Sequence, residues 1–191
     1  MSFQYKQAYS FRVELYWRDR HEGDDTLHRI GASYDASTPF KTNDGWLFAG
    51  KDNYTKYNNV VRVREVMKMD FWFGCYVDDG FYGYDVRAIC LTKEELFYGA
   101  RIDTSRNGFL GLYIAENDRR GPYDKELWRL DEVDPASIKA GEWLYNMRFR
   151  NSDDVVAHRK YQDGFPYLVC SGEGFHGLSA RVIQTGQPYP Y

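Results

Sequence analysis

Acidic pairs and turn-flanking aromatic residues are the groups in this chain whose types and spacing could do chemistry. Asp24-Asp25, Glu94-Glu95 and Asp153-Asp154 each precede a glycine followed by an aromatic residue, at Gly45-Trp46, Gly108-Phe109 and Gly164-Phe165. A carboxylate accepts hydrogen bonds from hydroxyl groups, and an aromatic face covers a patch of C–H groups. An acid beside a ring therefore makes a shallow saccharide site, and Tyr54, Tyr57, Tyr113 and Tyr167 add amphipathic rings nearby in sequence. The candidate ligand-binding residues are accordingly Asp24, Asp25, Trp46, Glu94, Glu95, Phe109, Asp153, Asp154 and Phe165. The competing explanation is structural: aspartate pairs form Asx-type turns, and aromatic residues after a turn glycine fill cores. Trp46, whose flanking loop is polar, is the ring that this explanation covers least.

Other chemistry finds less support. The four histidines (His21, His28, His158, His176) stand beside no recognisable serine or cysteine motif. Cys170 with His158 or His176 is the conceivable nucleophile–base pair, and a cysteine alternating into a core is the plainer reading. No catalytic residue is assigned, and the reading is non-enzymatic. Cys75, Cys90 and Cys170 form an odd set without CxxC spacing, which argues for buried thiols rather than a disulfide framework or zinc site. Acidic pairs in separate segments do not make the convergent loop that a hard cation needs. No metal and no cofactor is expected. Gly172-Glu173-Gly174-Phe175-His176-Gly177 fits G-x-G-x-x-G after an apolar run, yet the residues beyond it read as another strand instead of the required helix.

The elements that must carry these residues are strands. Aromatic residues make up 18% of the 191, as 17 Tyr, 12 Phe and 5 Trp, a composition suited to half-buried pleated surfaces and incompatible with disorder. Period-two alternation recurs, with Phe11, Val13, Leu15 and Trp17 on one face of a single run. Asn43-Asp44-Gly45, Asp79-Gly80, Asn107-Gly108 and Asp163-Gly164 read as turns between strands. About twelve strands follow from this pattern. Short helical pieces are expected only at 92–96 and 135–140, the second capped by Asp134-Pro135.

Three segments share an ordered set of features. Each opens with Tyr-x-x-Arg (Tyr9 to Arg12, Tyr84 to Arg87, Tyr145 to Arg148), continues through an acidic pair and a glycine–aromatic step, and closes on a strand. The reading is one all-β domain over 1–191 with repeats at 9–66, 84–133 and 145–184, residues 67–83 forming an inserted hairpin. Three repeats of four strands is the plan of a β-trefoil, with an antiparallel β-sandwich or another β-barrel as the alternative. In this architecture the chain resembles the cytoplasmic trefoil lectins and ricin-B-like modules, although their Gln-x-Trp is absent and Leu127-Trp128-Arg129-Leu130 stands nearest to it. The resemblance implies up to three shallow carbohydrate sites that gain avidity from clustered glycans.

Partners are bounded by charge. A formal net charge of -3, with acids and bases interspersed, excludes the concentrated basic face that nucleic acid requires. No apolar run approaches the length of a membrane span. The N-terminal residues contain no apolar core of a signal peptide, giving an expectation of cytoplasmic placement or of export without a classical leader. Expected partners are glycans or glycoproteins, with homo-oligomerisation left open. Two other readings need a protein partner: an inhibitor presenting 36–43 or 117–125, the latter with Arg119-Arg120-Gly121-Pro122, and an assembly component using the aromatic stretch 71–84.

Overall fold

The computed structural model describes residues 3–21, 24–35, 43–50, 54–57, 60–92, 97–114 and 127–189. Its strands are β1 (Gln4–Tyr5), β2 (Phe11–His21), β3 (Asp24–Arg29), β4 (Gly31–Asp35), β5 (Asn43–Phe48), β6 (Tyr54–Tyr57), β7 (Val60–Lys68), β8 (Asp70–Asp78) and β9 (Phe81–Ile89). There follow β10 (Arg101–Thr104), β11 (Leu110–Tyr113), β12 (Arg129–Leu130), β13 (Trp143–Leu144), β14 (Phe149–Arg150), β15 (His158–Gln162), β16 (Phe165–Val169) and β17 (Leu178–Thr185). The protein is all-β and its pairing antiparallel. The principal path runs β13-β17-β2-β8-β9-β10-β11-β5-β4-β7-β6, and among the described residues its two ends do not meet to close a barrel. Strands β12 and β14 form a separate ribbon.

Alternation places the main core. Phe11, Val13, Leu15 and Trp17 are all at most 1% exposed, while Arg12, Glu14, Tyr16 and Arg18 between them stay half-buried on the outer face. Phe11 lies opposite Phe73 and Val13 opposite Phe71, and the next ladder sets Phe73 against Val86 and Cys75 against Tyr84. Phe11 and Phe73 stack at 5.0 Å. Trp128 closes the core below β9 through paired backbone bonds with Tyr84 at 2.7 and 2.9 Å. Its indole stacks on Phe149 at 4.1 Å and donates Nε1–H to the Ile102 carbonyl at 3.1 Å.

The turn chemistry is partly that expected. Asp79-Gly80 and Asp163-Gly164 join β8 to β9 and β15 to β16 with both residues at positive φ, as a tight hairpin demands. Asp134 caps a 3-10 turn at Pro135–Ser137, its side chain accepting from the Ala136 N–H. Asn43-Asp44-Gly45 departs from expectation: it lies within β5, where Gly45 sits at φ 71 beside a register shift between Ala32 and Tyr34. A bulge with a glycine at positive φ uses the same residue types as a turn.

Residues 67–83, expected as an inserted hairpin, overlap the β8–β9 hairpin of 70–89, which is nine residue pairs long and occupies the middle of the sheet. The Tyr-x-x-Arg runs fall at three different places: Tyr9 ends a 3-10 turn before β2, Tyr84 lies inside β9, and Tyr145 follows β13. Among the described residues, no helix is long and apolar enough to cross a membrane.

Trp128 ties β9 and β10 to Phe149 of β14, a strand with which neither of them pairs, so its loss should be costly. Trp128→Ala is expected to destabilise the fold by about 3–5 kcal/mol, read as a lowered urea midpoint, with Trp128→Phe losing less because the stack on Phe149 survives.

Candidate functional site

Three neighbouring strands set up the site. Asp103 on β10 pairs with Gly111 on β11, and Gly111 pairs with Trp46 on β5. Directly paired residues share a face, so Asp103, Gly111 and Trp46 form one row across the outer surface of the sheet. Phe109 and Tyr113 flank Gly111 at the same pleat spacing. A Cβ built on Gly111 would meet the Trp46 ring at 2.9 and 3.0 Å and the Tyr113 ring at 3.5 Å. The glycine is thus a floor on which two aromatic side chains converge, and any larger residue would lift the indole.

Beside this row, on the same face, lies a second, smaller core. Phe48, Phe165 and Tyr167 are buried, with Trp46, Val66 and Phe109 packed half-buried against them. Trp46 and Phe109 meet at 5.8 Å, Phe109 and Tyr167 at 5.6 Å, and Phe48 and Tyr167 at 6.0 Å. Strand β16 contributes through the Tyr167–Phe48 pair. The turn before β11 fixes Phe109: its N–H donates to Ser105 Oγ at 3.0 Å and its carbonyl accepts from the Ser105 N–H at 2.8 Å.

Exposure grades across the row. Tyr113 is 41% exposed, Trp46, Phe109 and Asp103 are half-buried, and Phe165 at 2% presents no face to solvent. Burial first, and then the Asp103 charge, push the Tyr113 phenol above its ordinary value, so it is a neutral donor and acceptor near pH 7. Asp103 accepts from the Thr104 N–H through Oδ1 at 2.7 Å. A ring face, a carboxylate and a phenol thus border one glycine floor.

The sequence reading named the three aromatics of this cluster, Trp46, Phe109 and Phe165, but in three separate segments; the fold gathers them into one place. Phe165 supports the platform from within. Among the described residues, the acidic pairs do not join them. Asp24 and Asp25 open β3 opposite His21 and Arg20. Glu94 and Glu95 lie outside the described residues, as do 36–42 and the Arg119–Pro122 run. Asp153 is exposed on a turn in which Asn151 Oδ1 accepts from the Val155 N–H, and Asp154, at φ 67, pairs with Arg129 and Arg150. Asp103 is the acid that sequence reasoning missed. It belongs to no pair and follows no turn, and only the β10–β11 register brings it level with Gly111.

The histidines serve other ends. His28 Nε2 lies 3.1 Å from Asp19 Oδ2, an acid–base geometry, but Asp19 Oδ1 also holds Arg159 Nη2 at 2.5 Å. Arg159 lies between the Trp17 and Tyr161 rings at 5.0 and 5.1 Å, so this network ties the β2–β3 hairpin to β15. His158 is 3% exposed, packed beneath Gly174 and edge-on to His176 at 6.4 Å. The run Gly172–Gly177 forms an irregular loop whose last carbonyl accepts from the Arg18 N–H, and it leads into β17. Among the described residues, no group of three or more His, Cys, Asp and Glu is arranged to hold a metal ion.

No protein-family model matches this chain, and neither a curated protein nor a solved structure shows significant similarity to it.

Desolvation, foremost, lowers the His158 pKa from its ordinary value, with His176 and Lys160 adding to the effect and the Val156 carbonyl opposing it. A histidine held neutral in the fold but free to protonate when unfolded adds stability above its unfolded pKa of about 6.5 and loses it as pH falls through that value. Acidification from about pH 7.5 to about pH 5.5 should therefore lower the urea midpoint of the native protein. The same shift in His158→Gln is expected to be smaller.

Proposed function

We propose that this chain is a non-catalytic saccharide-binding protein whose site is the row of Trp46, Gly111 and Asp103 bordered by Phe109 and Tyr113. The observation that carries the reading is the cross-strand register: it sets an indole, a carboxylate and a phenol around a floor without a side chain. A pyranose lies with its axial C–H face on Trp46, the flat apolar part of the sugar covering the flat apolar part of the residue. Its equatorial hydroxyls donate to the Asp103 carboxylate, a charge-assisted bond roughly twice as strong as a neutral one. The Tyr113 hydroxyl exchanges hydrogen bonds at the exposed edge. The small core of Phe48, Phe165 and Tyr167 holds the platform rigid, so little side-chain entropy is lost on binding.

A β-trefoil lectin is the finer form of this reading, and three repeats would supply three equivalent sites. The clustering of Trp46, Phe109 and Phe165 favours one site per chain instead, with avidity for clustered glycans arising from self-association.

The test is a glycan array with free-sugar competition, followed by calorimetry on the strongest hit. Trp46→Ala and Asp103→Asn are each expected to weaken binding by about tenfold or more, and Gly111→Ala to weaken it by displacing the indole. Asp153→Ala should bind as the native chain does. Full binding by Trp46→Ala, or an array silent across neutral sugars, would overturn the reading.

A further inference from the structure

The glycine-rich run 172–177 has no part in the Trp46 platform, and its polar attachment to the body is confined to the two ends of its loop. At one end the Cys170 N–H donates to the Gly108 carbonyl at 2.7 Å; at the other the Arg18 N–H donates to the Gly177 carbonyl at 2.8 Å. Between them, among the described residues, no hydrogen bond or ion pair ties 171–176 to the rest of the chain. Residues 172–176 are exposed, and Gly172 sits at φ 75. A segment closed by side-chain packing alone opens at a lower free energy than the sheet on which it rests.

The loop rests on two buried rings. His158 lies so close under Gly174 that a Cβ at that position would clash with the imidazole. Trp17, fully buried at the end of the β2 row, takes Phe175 edge-on at 6.1 Å, and a Cβ on Gly177 would meet its ring at 3.1 Å. The Trp17 indole Nε1 is buried without a hydrogen-bond partner, a cost that access of water would relieve. The polar contact of His158 is equally thin, its Nδ1 lying 3.4 Å from the Val156 carbonyl. Cations outnumber available acids around it. Lys160 shares its strand, and His176 stands edge-on at 6.4 Å from the loop side. Arg106 is exposed on the turn against Ser171, and Val169, paired with His158, brings no charge. On β2, Arg18 lies over Tyr145, and Asp19 is held by Arg159 and His28. The acid of the loop itself, Glu173, is exposed.

We propose that the loop 171–177 is an acid-operated lid: protonation of His158 lifts Gly174 from the imidazole and opens the loop over His158 and Trp17. A neutral imidazole fits a dry seat with one long polar contact, whereas an imidazolium there is a buried charge beside other cations. Burial, foremost, holds His158 neutral while the loop is closed. In the open loop the ring is hydrated and takes a proton near its ordinary value of about 6.5. The closed form is therefore at its most stable above that pH. Below it, each pH unit raises the ratio of open to closed loop by up to about tenfold, until His158 protonates in the closed form as well. The lid shares no residue with the platform at Trp46 and stands or falls apart from it.

The experiment is an NMR titration of the full chain from about pH 7.5 to about pH 5, following the Gly174 and Phe175 resonances and the solvent exchange of the Trp17 indole N–H against a free indole in the same buffer. The expected result is that exchange at Trp17 quickens by up to about tenfold per pH unit below about 6.5, with Gly174 and Phe175 shifting in step and the Phe73 and Val86 resonances of the core unmoved. His158→Gln should abolish that dependence. Gly174→Ala should give rapid exchange at Trp17 already at about pH 7.5, because its Cβ meets the imidazole whatever the charge. Thermal unfolding of each variant checks that the fold is intact, and the native titration with Gly174→Ala keeps the test decisive if His158→Gln does not fold. Exchange at Trp17 that ignores pH, a native-like response in folded His158→Gln, a closed loop in Gly174→Ala, or loss of the core resonances together with those of the loop would overturn the proposal.

Discussion

The register of the β8–β9 hairpin is the constraint on which both faces of the molecule depend. Asp79-Gly80 fixes Asp78 opposite Phe81, and every pair back to Asp70 and Ile89 follows. A slip of one residue would turn Phe71, Phe73 and Cys75 out of the core and bring Trp72 and Gly74 into it. The outer face is equally specified. Asp85 is fully buried with Arg87 at 3.0 Å and Arg101 at 3.5 Å, a group of charges that tolerates no displacement because an uncompensated buried charge costs several kcal/mol. Trp72 roofs this area by lying over Gly74, and residues from β1 and from beyond β17 complete the cover. Tyr5 packs on Trp72, the Trp72 indole N–H donates to the Gln187 carbonyl, and Tyr189 stands edge-on to the same ring.

One device recurs on that outer face: a large ring laid over a residue with little or no side chain. Trp72 covers Gly74, and Trp46 covers Gly111. An antiparallel sheet with a dry inner face must otherwise leave its outer face to water or build a third layer. Rings folded flat onto small residues shield the backbone with single side chains. The arrangement also exposes π-faces on rigid backing. At Trp72, Tyr5 and Tyr189 consume that face; at Trp46 part of it remains open.

Much of the local structure was legible. Alternation in 11–17 predicted the buried side of β2, and Asp-Gly at 79–80 and 163–164 predicted two hairpins, because these signals act between neighbours in sequence. The grouping of Trp46 with Phe109 and Phe165 was not legible. It depends on pairings of β5 with β11 and β16, which join segments more than sixty residues apart and leave no local trace. The three Tyr-x-x-Arg runs fall in different local settings. In a chain rich in tyrosine and arginine such short patterns arise in a turn, in mid-strand and in a loop, and order along the chain does not report pairing in the sheet. Gly45 misled more subtly, since a glycine at positive φ serves a bulge as well as a turn.

The same pleat sets which charged group stands beside a ring on the outer face. At β10–β11–β5 the row passes from an acid through glycine to an indole, so the group left beside the ring is Asp103. At β13–β17–β2 it passes from Trp143 through Arg181 to Glu14, so the group beside that ring is a cation. The charged group left beside each ring is thus fixed by which residues the pairing brings level. Specificity in such a sheet is a property of register, because register decides which side chain is the neighbour of the ring.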